Sequence, residues 1–169
     1  MKLNRLMLSI ASLLVCLHVG WAQDQRPDFS GTWKLDKEKS DVGAEERNGR
    51  FRGGMFDSLV IEHKDPELII KRKMNLPSGE ERTTQSKYTT DGKDNTNEGF
   101  RGMTSKSKTH WEGDKLVTES TRETPRGTIE TKEVRSLSAD GKTMTVESTT
   151  KGGPREGTRK LVYNKQESN

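Results

Sequence analysis

An all-β fold, an antiparallel up-and-down (meander) barrel of eight to ten strands, is what this sequence predicts, and three observations carry the prediction. Beyond residue 28, apolar residues recur at every second position and never hold the i, i+3, i+4, i+7 spacing of a helix over a dozen residues. Turn-forming groups punctuate the chain at short intervals: Asp65-Pro66, Pro77-Ser78-Gly79, Asp91-Gly92, Gly113-Asp114, Pro125-Arg126-Gly127, Asp140-Gly141 and Gly152-Gly153-Pro154. Asp-Gly tolerates the positive φ of a two-residue hairpin, and Pro-Ser-Gly suits a longer one. Thirdly, Thr and Ser fill many of the alternate positions, which suits a pleated surface with polar faces. A meander of this length has two edges to hide, and closing on itself removes both.

The first 22 residues read as a removable export signal. Lys2 and Arg5 give a positive start, Leu6 to Leu17 an apolar centre, and Gly20-Trp21-Ala22 the small residues a signal peptidase reads. That centre is about 12 residues long, against the roughly 20 that span a bilayer. Val15 before Cys16 is not the small residue that lipid attachment requires, so a soluble exported protein, periplasmic or secreted, is expected after cleavage near Ala22. Residues 23–28 then form a short arm, 29–165 a single barrel domain, and 166–169 a tail. Strands are expected at 29–36, 58–64, 67–75, 80–90, 94–100, 103–112, 115–124, 128–138, 143–150 and 157–165. The stretch 37–57 is too long for an ordinary connection and rich in glycine. It reads as a lid or flexible loop, with Phe51, Met55 and Phe56 placed to fold over something apolar.

Composition narrows the function classes. Of 30 Lys and Arg residues only Lys2 and Arg5 lie in the leader, and all 26 acidic residues lie beyond it, so the mature chain is close to neutral. Its charges are interspersed, and no basic face with stacking aromatics emerges, so no nucleic-acid partner is expected; Arg47 to Arg52 reads as a solvated loop. An outer-membrane barrel would set Lys106 or Lys108 in lipid, which excludes that architecture. The only cysteine is in the leader, so the mature domain has no disulfide. About one mature residue in five is a large apolar type, which predicts a thin or partly polar interior. Ser, Thr and two scattered histidines form no nucleophile–base motif, no spacing gathers three metal ligands, and neither enzyme activity, cofactor nor metal is expected.

Phe29-Ser30-Gly31-Thr32-Trp33-Lys34-Leu35, followed by Lys37-Glu38-Lys39-Ser40, resembles the opening of the fatty-acid-binding proteins and lipocalins, the calycins. Leu161-Val162-Tyr163-Asn164-Lys165 is similar to the last strand of the fatty-acid-binding proteins. The chain also looks like a bacterial group of exported lipocalin-like proteins without assigned activity. The resemblance implies structural roles for Trp33, plugging the barrel floor where first and last strands meet, and for Gly31, letting backbones pass closely. It implies an Arg-x-Tyr pair gripping a carboxylate; here the tyrosine is Tyr163 and Leu161 stands in the arginine position. The two-helix lid of that family has no counterpart in 37–57.

Arginine can reach the interior by other positions. Arg72 shares parity with Leu68, Ile70 and Met74, and Arg159 with Leu161 and Tyr163. An inward guanidinium needs an anionic partner, which a ligand supplies bidentately or an internal acid such as Glu133 supplies instead. His63 shares parity with Leu59 and Ile61; a haem-binding barrel family uses a histidine ligand, but its extended Gly-Trp-Gly motif is absent after Trp33. The expectation is a carrier for a small apolar or amphipathic ligand. Its apolar part would lie among Trp33, Leu35, Ile61, Ile70, Trp111 and Val146, and its polar head at Arg72, Arg159 or Tyr163. The alternatives are a protein-binding barrel, such as a protease inhibitor inserting residues 23–28, and a structural envelope protein with a filled interior.

Overall fold

The structure, a computed structural model, describes residues 26–41, 57–75, 79–99, 102–153 and 156–167. The leader, the arm up to residue 25 and most of the expected lid lie outside these. Ten strands follow in chain order: β1 (Gly31–Leu35), β2 (Ser58–Lys64), β3 (Glu67–Asn75), β4 (Glu81–Thr89), β5 (Asp94–Glu98), β6 (Thr104–Glu112), β7 (Lys115–Thr124), β8 (Gly127–Leu137), β9 (Thr143–Lys151) and β10 (Gly157–Gln166). The all-β meander read from the sequence is present, at the upper end of the expected strand number, and the boundaries fall within two residues of those read from the turn signals.

Every strand pairs antiparallel with its sequence neighbour except β4 with β5. β1 joins β10, with Trp33 opposite Lys165 and Leu35 opposite Tyr163, so first and last strands close the meander. β4 and β5 share no backbone ladder and form the two ends of the hydrogen-bonded order. At that seam the side chain of Asn97 does the pairing, as the amide Oδ1 accepts from the Lys87 N–H at 2.7 Å and Nδ2 donates to the Lys87 carbonyl at 2.8 Å. Asn95 Nδ2 adds a bond to Thr89 Oγ1 at 3.2 Å, so the barrel is nearly closed, with side-chain hydrogen bonds in place of a ladder.

Register fixes which side chains share the interior. One cross-strand row runs Leu137, Met144, Tyr163, Leu35. The next runs Trp111, Leu116, Arg135, Val146, Leu161. Then follow Thr109, Thr118, Glu133, Ser148, Arg159, and finally Asn95, Ser107, Ser120, Thr131, Thr150. The wall therefore grades from apolar to hydroxyl-bearing along the barrel axis. At the apolar end sit the β2–β3, β4–β5, β6–β7 and β8–β9 turns; at the polar end sit the others and both ends of the β1–β2 connection.

Burial follows the same gradient. Phe29, Trp33, Leu59, Ile61, Leu68, Ile70, Leu116, Met144, Val146 and Tyr163 form one contiguous buried cluster, a floor to the barrel. Inward residues nearer the other end, among them Thr84, Ser86, Ser120, Thr131, Ser148 and Arg159, stay half-exposed although they point inward. The interior is filled at the floor and opens toward a polar mouth. The molecule is a cup.

Trp33 is fully buried in the floor and its indole N–H donates to the Phe29 carbonyl at 3.0 Å, satisfying the one polar atom its burial strands. Lys165 lies 5.3 Å over its ring. Gly31 takes φ of +139°, a conformation that demands glycine; a Cβ there would meet Lys165 Cε at 2.6 Å, the end of a flexible side chain that can move aside.

Candidate functional site

The wall between floor and mouth holds a cluster of charged and phenolic side chains facing inward. Arg72 comes from β3, where alternation with the buried Leu68 and Ile70 turns it to the interior. Its Nη1 donates to Ser86 Oγ at 3.0 Å and its Nη2 to the Tyr88 hydroxyl at 3.5 Å, both on β4. From the opposite wall β8 contributes Glu133 and Arg135, which pair with each other. Arg135 is 3% exposed and also donates to Thr118 Oγ1 at 3.1 Å.

The charges are coupled across the interior. Burial alone would raise the Glu133 carboxyl, but the Arg135 and Arg72 guanidiniums outweigh it and hold that group below the usual carboxylate range. Burial likewise opposes the Arg72 charge, yet Tyr88 and Glu133 overcome it and hold its pKa above the ordinary value. Burial first, then the Glu133 carboxylate, push the Tyr163 phenol well up, so it stays a neutral O–H donor. Two guanidiniums thus share one carboxylate. Glu133 keeps 29% of its side-chain surface accessible while pointing inward, so the cluster borders an internal space and not a packed core.

The structure distributes the residues singled out from sequence unevenly. Arg72 and Tyr163 come together with Glu133, as one cluster. Arg159 faces inward in the row of Glu133 and Ser148, one step nearer the mouth. Ile70 is 1% exposed and packs into the floor. Trp111 belongs to the floor as well: its indole N–H donates to Asp65 Oδ1 at 3.1 Å, and its ring lies 6.0 Å from Phe29 and 5.8 Å from His63. His63 points inward as read, and its Nδ1 accepts from the Phe29 backbone N–H at 3.3 Å. Among the described residues no group of His, Cys, Asp or Glu is arranged to hold a metal ion.

Sequence reasoning missed Arg135, although its parity with Leu137 was there to read, because an arginine flanked by Val134 and Ser136 gives no periodic signal of its own. It also missed Asp65. That carboxylate closes the floor by accepting from Trp111, from Thr90 Oγ1 and from Arg26 at 2.8 Å, joining the arm, two turns and β6. Nothing in the turn dipeptide Asp65-Pro66 announces those distant partners.

Two surface grooves lie away from this cluster. One of about 580 Å³ runs over β5–β9 beside Lys106, Lys108, Glu119, Lys132 and Lys151. Asp94, Lys108, Glu119 and Lys132 sit opposite one another on successive strands, an alternating charge row whose long side chains make its walls. The other, of about 330 Å³, borders His63, Glu62, Lys64 and Glu67. Neither is lined by Arg72, Arg159, Tyr163, Trp111 or Ile70.

No family model matches the sequence, and no curated protein sequence matches it significantly. Solved structures do match in fold. A REP1-NXSQ fatty acid transporter superposes with a TM-score of 0.54 at 13% identity, over 83% of this chain and 97% of its own. Secretory abundant heat soluble protein 4 from Ramazzottius varieornatus gives 0.53 at 16%, over 82% and 94%. Apo lipid binding protein 8 from Caenorhabditis elegans gives 0.53 at 11%, over 82% and 95%. The chain has the antiparallel barrel fold of these proteins, and at such identities the likeness extends to fold alone.

Proposed function

We propose that this protein is an exported carrier that binds a small amphipathic molecule inside its barrel, with the polar end of the guest at the Arg72–Glu133–Arg135–Tyr163 cluster. The observation that carries this reading is the cup: inward side chains are closed at the apolar floor, whereas Glu133, Ser148, Arg159, Ser120 and Thr131 stay half-exposed toward the mouth. The neutral Tyr163 hydroxyl beside the cluster is a donor to the polar end of the guest. An apolar part of the guest would lie against the accessible faces of Leu161, Tyr88 and Leu137, which pack against the floor without being closed by it.

Two of the fold relatives, a fatty acid transporter and a lipid binding protein, are named for cargo of this class, which supports the reading. The arm supports it too. Arg26 is tied back to Asp65 and lies 5.4 Å over Trp111, so the first described residues close the floor and do not project toward a protein partner. The leader supports export, with the mature chain beginning at Gln23.

Native mass spectrometry of protein purified from its own source tests the proposal. A co-purifying small molecule on a chain whose mass begins at Gln23 is expected. A bare mass at every stage of purification, with no uptake of dodecanoate, would contradict it.

A further inference from the structure

We infer that the guest is a single-chain amphiphile whose head is an anionic polyol, an acid group carried on a hydroxylated skeleton, and that the mouth half of the barrel is the pocket for that head. The inference rests on the interior being the ligand site and names the chemistry of what enters it.

The inward row nearest the mouth is Asn95, Ser107, Ser120, Thr131 and Thr150, five hydrogen-bonding side chains on five successive strands. The row below adds Ser148, its other hydroxyls, Thr109 and Thr118, being buried and bonded to one another at 3.0 Å. Asn95 already donates to Thr89 Oγ1 and the Lys93 carbonyl, but a hydrocarbon chain laid against Ser107, Ser120, Thr131 and Thr150 would leave their hydroxyls in a place water has left. A polyol supplies a donor and an acceptor at each hydroxyl and matches a wall of Ser, Thr and Asn.

Parts of that wall are already waiting for partners. Ser107 is 4% exposed, and its Oγ, enclosed inside the barrel, makes no hydrogen bond among the described residues. Arg122 follows Ser120 at the next inward position of β7, and its Nε is enclosed and unpartnered in the same way. Ser120 reaches only the Thr131 carbonyl, at a long 3.4 Å.

Charge sets the sign of the head. Arg72, Arg122, Arg135 and Arg159 occupy inward positions of the wall, and Glu133 is the acid set among them. Glu133 is engaged with Arg135. A neutral polyol would satisfy the hydroxyl row and leave Arg122 and Arg159, which make no ion pair among the described residues, without an anion; an acid group on the same skeleton satisfies both.

Displacement of 1-anilinonaphthalene-8-sulfonate by three dodecyl compounds, each below its micelle concentration, separates the terms. Dodecyl β-D-glucuronide has both charge and hydroxyls, dodecyl β-D-glucoside has the hydroxyls alone, and dodecanoate the charge alone. The glucuronide is expected to bind at least tenfold more tightly than either. Ser120→Ala and Ser107→Ala should each weaken the glucuronide several-fold and leave dodecanoate within twofold; Arg122→Met should weaken the glucuronide and spare the glucoside. Unfolding midpoints of the three variants identify any that fail to fold, and the two serine variants stand independently of the arginine one. Dodecanoate binding as tightly as the glucuronide overturns the inference and makes the row a water site. Equal binding of glucoside and glucuronide overturns it through the charge. Failure of all three compounds and of the dye to bind overturns the interior site itself.

Discussion

Asn97 stitches the barrel to Lys87. Its amide makes the two backbone hydrogen bonds, of 2.7 and 2.8 Å, that a neighbouring strand would have made where β4 and β5 share no ladder. One planar side chain stands in for a peptide group, because an amide carries the same donor and acceptor in the same plane. Asn97→Asp keeps the acceptor but sets a carboxylate oxygen against the Lys87 carbonyl. Both Asn97→Ala and Asn97→Asp are therefore expected to lower stability by about 1 kcal/mol, read by urea denaturation. Hydrogen exchange at the Lys87 amide should accelerate in both, and unchanged exchange there would refute the stitch.

Gly31 sits at φ +139° with Lys165 Cε 2.6 Å from the place a Cβ would take. Gly31→Ala should lower stability by about 1–3 kcal/mol through backbone strain. Removing the side-chain collision with Lys165→Ala in the same chain should restore little of it. Full rescue by the double variant would assign the effect to crowding and not to conformation.

Glu133 neutralises part of the charge of Arg135 and Arg72, and its carboxyl is held below the usual range by them against the opposing effect of burial. Glu133→Gln leaves Arg135 enclosed without its acid, a loss of about 2–3 kcal/mol, below the full figure for a buried pair because Glu133 is partly accessible. The same change removes the internal competitor for a bound anion. Dodecanoate affinity should rise in Glu133→Gln, measured by calorimetry, and a fall would place the anion elsewhere.

Asp65 is the pH-sensitive tie of the floor. Burial raises its carboxyl, but the hydrogen bonds from Thr90 and Trp111 and the Arg26 charge outweigh that and leave it lowered. A folded value below the unfolded one, about 3.9, means the stabilisation is complete at neutral pH and is lost as pH falls through the folded value. With 40% of its side chain accessible, solvent screening discounts the contribution to about 1 kcal/mol. Asp65→Asn should be less stable than the parent at pH 7 and should converge with it as pH falls below the folded value. A constant difference across that range would show that the carboxylate charge is not what matters.

Much of this was legible in the chain because two local signals agree. Dipeptides such as Asp91-Gly92 and Asp140-Gly141 mark hairpins, and the parity of Leu59 and Ile61, or of Met144 and Val146, fixes which face is inward. From these the ten strands and the inward placement of Arg72, Arg159 and Tyr163 follow. What is not local was not legible. Whether an inward apolar residue lines a space or plugs it depends on packing from several strands at once, and so Ile70 and Trp111 lie in the floor while Glu133 borders the space. Asp65 and Asn97 act on partners 25 to 46 and 10 residues away, contacts that no pattern along one strand encodes.

The central claim is that a guest occupies the inside of the barrel, and methyl NMR during titration with dodecanoate tests it most directly. Thr84, Ile129, Thr131, Thr150 and Leu161 point inward, whereas Thr83, Thr121, Thr149 and Ile69 point outward from the same sheet. The account predicts shifts confined to the inward set, saturating together, and abolished in Arg72→Met. Shifts confined to the outward methyls beside Lys106 and Lys132, or no shifts at all, would contradict it.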